Sequence, residues 1–125
     1  MATSTETMSD RQCDKDTFAR LVHAAKIAES PQQAWLYLEA AHVVGQLHVK
    51  PHLQTHALML RLAWRTRDLA EAAGQVLRLA LVPLGHLSGR LPLGNPGRST
   101  VSAFEPLPVR QELAELIAQA AQPLR

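Results

Sequence analysis

Prolines and glycines divide this chain into a helical part and an irregular part. Five of the eight prolines and four of the six glycines fall within residues 83–108. Such a density breaks regular helices and strands, and an irregular stretch of this length is unusual in a compact domain. We therefore expect residues 83–108 to form a proline-stiffened strap across the rest of the fold.

Outside the strap, apolar residues recur three or four positions apart, as they do on one face of a helix. Ser30 followed by Pro31 is typical of an N-cap and a first helical residue, and Pro51 is expected to open the next helix, which runs to about Arg65. The other helices are predicted to begin near Asp14 or Asp16, after Thr66 or Asp68, and near Val109. The residues of the fourth helix predicted to face inward are Leu69, Ala72, Ala73, Val76, Leu77 and Ala80. No segment alternates as a strand would, so the predicted fold class is all-α.

The predicted helices repeat along the chain. Residues 21–45 and residues 57–81 have the same order of helix, tight turn and helix at a shift of 36 residues. A period in the thirties is typical of tetratricopeptide-like helical hairpins. We predict two such hairpins, closed by the strap and a C-terminal helix. Residues 1–13 are expected to form a flexible tail, and residues 14–125 a single helical domain.

Composition limits where the protein works and what it binds. Apolar residues make up 46% of the chain and charged residues 19%, which argues against a wholly disordered protein. No apolar run approaches the roughly 18 residues of a membrane span, and the N-terminus has no secretory signal pattern. The single cysteine, Cys13, excludes an internal disulfide and a thiolate-rich metal cage. We therefore expect a cytoplasmic protein that contacts no membrane. The net charge is only +2. Although residues 50–98 sum to +5 and could attract an anion, arginines spaced along helices more often form a solvated face, so nucleic acid is not an expected partner.

Four of the six histidines lie close together in the sequence, at positions 42, 48, 52 and 56. Glu39 precedes His42 by three residues, and His52 precedes His56 by four, so each pair lies on one side of its helix. If the two helices pack antiparallel around the turn at residues 47–50, the two pairs meet at similar heights. His48, in that turn, is a further candidate ligand, whereas His23 and His86 are left out of the site.

Imidazole and carboxylate groups at this spacing on facing helices form metal sites in helical bundles. Such ligands suit zinc, copper, nickel or iron, and a carboxylate disfavours copper(I). The alternative is that the same residues are structural and hydrogen-bond to one another. Such a network would also explain their presence, because polar groups that are buried need hydrogen-bond partners.

Three parts of the sequence resemble one known family. They are the run from Tyr37 to Gln46, then His52 and His56 with Met59-Leu60-Arg61, and the strap with its G-N-P-G turn. Over residues 17–118 the chain is similar to an uncharacterised family of small bacterial proteins, a domain of unknown function. Its members are often encoded beside heavy-metal-resistance genes, so the resemblance implies a role in metal handling. The positions similar to the family pattern are Glu39, His42, Gly45, Gln46, His56, Asn95 and Phe104. The strap departs from that pattern at Pro96, where a small polar residue is more usual.

The leading hypothesis is a small cytosolic protein that binds a transition metal for sequestration, delivery or sensing. Its predicted ligands are Glu39, His42, His52 and His56, with His48 beside them. The second hypothesis is a protein-interaction module of helical hairpins, with a protein partner or a homodimer, in which the histidine cluster is structural. A metal-dependent enzyme ranks last, because the sequence shows no separate general base.

Overall fold

Five α-helices account for most of the described chain. The computed structural model describes residues 8–89, 95–101 and 105–122, with side chains from residue 14 onward. The helices are α1 (Met8–Lys26), α2 (Pro31–Gly45), α3 (Val49–Arg65), α4 (Leu69–Ser88) and α5 (Gln111–Ala121). Within these ranges there is no strand, so the predicted all-α class is confirmed. The closer likeness to tetratricopeptide hairpins stays a prediction.

Two helix starts follow the expected capping chemistry. The Ser30 hydroxyl accepts a hydrogen bond from the backbone N–H of Gln33 at 3.2 Å, and Pro31 occupies the first position of α2. Asp68 accepts from the N–H of Glu71 at 3.1 Å and begins α4. Each cap satisfies a backbone donor that the helix itself leaves without a partner.

Two other helices begin earlier than predicted. α1 starts at Met8, six residues before Asp14, because residues 1–30 contain no proline or glycine that would stop it. The predicted tail is therefore helical over residues 8–13, and residues 1–7 lie outside the described chain. α3 starts at Val49 and includes Pro51 in its first turn, where the missing N–H has no helical acceptor in any case.

The prediction that regular structure stops at Pro83 is wrong. α4 continues through this proline to Ser88, so residues 83–88 of the predicted strap are helical. A proline inside a helix removes one hydrogen bond and crowds the carbonyl four residues before it. The extra turn ends at Gly89, whose φ of +72° is left-handed and whose N–H donates to the carbonyl of Gly85. Of the rest of the strap, residues 90–94 and 102–104 lie outside the described chain, and the described parts are irregular.

An aliphatic core joins α1, α2 and α5. α1 packs against α2 and α5, α2 also packs against α3 and α5, and α3 packs against α4. The buried residues of this core are Leu21, Val22, Ala40, Ala41 and Leu113. A smaller apolar cluster joins α2 to α3 through Ala34, Leu38, Met59 and Leu62. Leu113, the residue that α5 contributes to this core, is fully buried.

The face that α4 buries is only partly the predicted one. Ala72 is buried as predicted. Leu69, Val76 and Leu77 were also expected to face inward, but each is more than half exposed. The residues that α4 buries include Glu71, Gln75 and Arg78. These polar side chains find partners on residues 97–101, and the helix is rotated accordingly. In the described chain no helix has the length and apolar character to cross a membrane.

Candidate metal centre

Three buried histidines converge between α2 and α3. The Nε2 atom of His42 lies 3.1 Å from Nε2 of His52 and 3.2 Å from Nε2 of His56. The three ring centroids are 4.8–5.0 Å apart, and no more than 4% of any of the three residues is exposed. This triad is a group of potential ligand atoms close enough together to hold one metal ion.

Helix geometry and a short connection bring the triad together. His52 and His56 are four residues apart on α3, so their side chains leave the helix on one side. α2 ends at Gly45 and α3 begins at Val49, which sets His42 beside them. Gly45 is required at this turn, because a Cβ there would lie 2.8 Å from the Phe18 ring and 2.9 Å from Pro51.

Hydrogen bonds on the far side of the rings determine which nitrogens carry protons. Nδ1 of His42 lies 2.7 Å from the backbone carbonyl of Asn95, which can only accept. Nδ1 of His56 lies 2.7 Å from Oε1 of Gln75, and the amide nitrogen of Gln75 donates to the carbonyl of Gly97 at 3.0 Å. In the neutral rings of His42 and His56 the proton is therefore on Nδ1, and the Nε2 lone pairs face each other.

The segment of residues 95–101 is attached to α4 by hydrogen bonds and an ion pair beside the triad. The Glu71 carboxylate accepts the N–H of Ser99 at 3.0 Å and pairs with Arg98. Arg78 donates to the carbonyl of Val101 at 2.7 Å. A Cβ on Gly74 of α4 would lie only 2.2 Å from the Ser99 side chain, so the segment and the helix backbone are in close contact there.

Gly97 brings the backbone of this segment directly onto the His42 ring. Its φ is +88°, and a Cβ at this position would lie 2.6 Å from Cδ2 of His42. Only glycine meets both conditions at low cost. The segment therefore covers the ring and also supplies, through Asn95, the acceptor for its Nδ1 proton.

Burial keeps the triad neutral. Desolvation is the largest effect on all three rings and lowers the pKa of His42 well below its usual value, that of His52 to about 3 and that of His56 to about 4. The neighbouring histidines lower the pKa of His42 and of His52 further, and the charge of Arg78 acts on His56. At neutral pH the three rings are therefore uncharged, each with one N–H and one free lone pair, which is the form that binds metal.

Glu39 lies outside the triad. Its buried carboxylate pairs with Arg110 at 2.5 Å and with Arg98 at 3.6 Å. Burial raises the pKa of Glu39, while Arg110 and Arg98 oppose that rise. The guanidinium of Arg98 also lies 3.8 Å from the centre of the Trp35 ring. In the described chain Glu39 thus links α2 to the segment and to the start of α5.

The turn histidine and a histidine excluded by the sequence reasoning both lie on the outer side of the triad. His48 is exposed and is the N-cap residue of α3. His86, on the last turn of α4, has its Nε2 atom 3.0 Å from Nδ1 of His52. His86 follows Gln75 by 11 residues, or about three helical turns, so α4 presents both side chains to the triad. No local signal in the sequence indicates this placement, because it depends on α4 continuing through Pro83.

The chain belongs to a family of unknown function. Residues 13–117 match the family described as "Protein of unknown function (DUF3703)". This match covers most of the chain, including all three histidines of the triad, Gln75 and Asn95. Phe104, one of the positions similar to the family pattern, lies outside the described residues. Searches of curated proteins and of solved structures find no match to this chain.

Proposed function

We propose that this protein binds one transition-metal ion through the Nε2 atoms of His42, His52 and His56. The observation that carries the proposal is the contact between Nε2 of His42 and Nε2 of His56 at 3.2 Å. Both nitrogens present lone pairs, since each ring donates its proton elsewhere. Two lone pairs at this distance repel unless a cation lies between them.

The spacing supports a single ion bound by all three rings. Two nitrogens at the 2.0–2.1 Å typical of zinc, in tetrahedral geometry, are about 3.3 Å apart. The distances of 3.1 and 3.2 Å from His42 to its two neighbours are close to that value. A ligand set of imidazoles alone suits zinc, copper, nickel or iron, and with Glu39 paired to arginines the earlier argument against copper(I) no longer applies.

The second layer of residues also supports metal binding. Histidine ligands usually donate their other ring proton to a carbonyl or carboxylate, which fixes the ring orientation. Asn95 and Gln75 accept in this way from His42 and His56, and His86 can accept from His52. An ion at this site is shielded from solvent, which favours sequestration or sensing in the cytoplasm over rapid exchange.

Elemental analysis of protein purified without chelator, and again after reconstitution with zinc, copper or nickel, tests the proposal. We expect about one ion per wild-type chain and none in the double variant His42→Ala/His56→Ala. His23→Ala is the matched control, because His23 is exposed on α1, and it should retain the ion. Circular dichroism of each variant checks that it is folded. Metal-free wild type after reconstitution, or full binding by the double variant, would overturn the proposal.

A second candidate function is self-association through α4, and the outer face of this helix favours it. The only Asp, Glu, Lys or Arg residues of α4 are Glu71 and Arg78, and both are buried. Its side chains more than half exposed are Leu69, Val76, Leu77, Leu84 and Leu87. Together they present roughly 500 Å² of apolar surface, more than half of what each partner contributes to a standard interface.

We propose a second copy of this chain as the occupant of that face. An uncharged helix face can pair with itself without like-charge repulsion, and it offers no charge to select a different partner. Sedimentation equilibrium should show a wild-type dimer and a monomeric Leu77→Glu variant. Leu47→Glu is the control, because Leu47 is 57% exposed but lies outside α4. A wild type that stays monomeric at high micromolar concentration would contradict the proposal.

A further inference from the structure

His52 has one ring nitrogen on each side of the boundary between the buried triad and the surface. Its Nε2 atom faces His42 at 3.1 Å, and its Nδ1 atom faces Nε2 of His86 at 3.0 Å. The outer pair of nitrogens is therefore as close as the inner ones. The rings of His52 and His86 are 5.2 Å apart between centroids, with their planes at 65°.

Buried residues cover the other two sides of the triad. The far side of the His42 ring is covered by Asn95 and Gly97, and the far side of the His56 ring by Gln75, which is fully buried. Among the residues that the structure describes, only the His52 side leads to a partly exposed histidine, His86.

Exposure increases in steps along this side. His42 and His52 are buried, His86 is half-buried and His48 is exposed. Imidazoles therefore continue from the partly exposed His86 to the triad.

We propose that His86 forms an outer metal position that shares His52 with the triad and through which an ion reaches it. The proposal rests on the triad being a metal site. It assigns to His86 a step that the triad alone does not provide, because the other two sides offer an ion no intermediate ligand among the described residues.

The position of the ring proton of His52 means that the outer and the inner metal positions are occupied one after the other. While an ion is held by His86 Nε2 and His52 Nδ1, the neutral His52 ring carries its proton on Nε2. When the ion moves to the inner site it takes the Nε2 lone pair, and the proton resides on Nδ1, where it is donated to His86 Nε2. Because a neutral ring cannot give both nitrogens to metal, the outer position empties as the inner one fills, and the final stoichiometry is one ion per chain.

The rate of metal uptake tests this route. Stopped-flow mixing of the metal-free protein with Co²⁺ follows loading by visible absorption, and equilibrium titration gives the stoichiometry. The informative variant is His86→Gln, because the glutamine oxygen can still accept from His52 while the imidazole is gone. We expect loading at least tenfold slower with one ion still bound at the end. His23→Ala should load at the wild-type rate.

The possible outcomes distinguish failure of this route from failure of the proposed function, metal binding by the triad. Wild-type protein that binds no ion would remove the triad as a metal site, and the route with it. Wild type that binds one ion, together with His86→Gln that loads equally fast, would overturn the route and leave the triad in place. A His86→Gln variant that only lowers the melting temperature would make His86 a structural partner of His52 and would equally overturn it.

Discussion

The aliphatic core and the histidine centre lie on opposite sides of the same helix. α2 contributes Ala40 and Ala41 to the core shared with α1 and α5, and it contributes His42 to the polar centre shared with α3 and α4. Both regions are buried to a similar degree. The first is stabilised by apolar area removed from water. In the second, hydrogen bonds and ion pairs must offset the free-energy cost of burying each polar group.

The difference teaches that the polar centre is costly for stability and offsets that cost through specific pairings. Its members have definite partners: Asn95 for His42, Gln75 for His56, and Ser99 with Arg98 for Glu71. Apolar residues of similar volume would fill the same space without these pairings. The two regions should therefore respond differently to substitution, to pH and to metal.

Shortening a core side chain should have the largest effect on stability and none on the metal. Leu113 is fully buried between α5 and the core of α1 and α2. Leu113→Ala should lower the free energy of unfolding by about 3 kcal/mol, through lost transfer energy and a cavity. Urea denaturation measures this change, and the metal content of the folded variant should stay at the wild-type value. Reduced metal content in a folded Leu113→Ala protein would show that the two regions are not independent.

Acid should destabilise the metal-free protein through the polar centre alone. An unfolded histidine titrates near pH 6.5, whereas in the folded chain the pKa of His52 is about 3 and that of His56 about 4. Between these limits the unfolded chain binds more protons, so the free energy of unfolding falls as pH falls. From pH 7 to pH 5.5 we expect a loss of about 1 kcal/mol from each of the two residues.

Denaturation curves at several pH values check this expectation. The control is the variant His52→Gln/His56→Gln, whose stability should depend less on pH over the same interval. Equal pH dependence in the variant and the wild type would contradict a neutral triad.

Removing the carboxylate charge of Glu71, which attaches residues 95–101 to α4, should have a smaller effect on the free energy of unfolding. Glu71→Gln keeps the size of the side chain but weakens the bonds to Ser99 and Arg98. We expect a loss of about 1.5 kcal/mol, in line with hydrogen bonds to a charged group. Glu112→Gln is the matched control, because the Glu112 side chain is 59% exposed, and its substitution should change stability by less than about 0.5 kcal/mol.

Two glycines give the finest comparison. Gly89 and Gly97 both have positive φ, but a Cβ on Gly89 meets nothing within 4 Å, whereas one on Gly97 meets the His42 ring. Gly89→Ala should cost about 1 kcal/mol for the backbone alone. Gly97→Ala should cost about 1 kcal/mol more and should also weaken metal binding, roughly tenfold, by displacing an orienting contact. Equal effects of the two substitutions on metal affinity would show that the contact of Gly97 with His42 does not contribute to metal binding.

The sequence carries enough information for the helical class and for the three histidines that the fold brings together, but not for the residues around them. Helical spacing, together with caps such as Ser30 and Asp68, locates α2 and α4, and spacing of four pairs His52 with His56. The orientation of α4 does not follow from its apolar residues, because its polar residues find partners on the distant segment 95–101.

The same limit explains Glu39 and His86. Glu39 has helical spacing to His42, but its partners Arg98 and Arg110 are 59 and 71 residues away in sequence. His86 was excluded because Pro83 is an unfavourable residue inside a helix, and only tertiary contacts show that α4 continues. Local rules therefore locate side chains on helices, whereas long-range pairs determine which of them meet.

The side-chain amide of Gln75 couples the triad thermodynamically to the segment of residues 95–101. One side chain accepts from the ring of His56 and donates to the backbone of Gly97, so occupancy of the triad and attachment of residues 95–101 depend on a common group. Linkage is reciprocal: the factor by which the attached segment raises the affinity for an ion is the factor by which a bound ion favours attachment. At the proposed metal site, the outer surface of the segment would therefore respond to whether the triad is occupied.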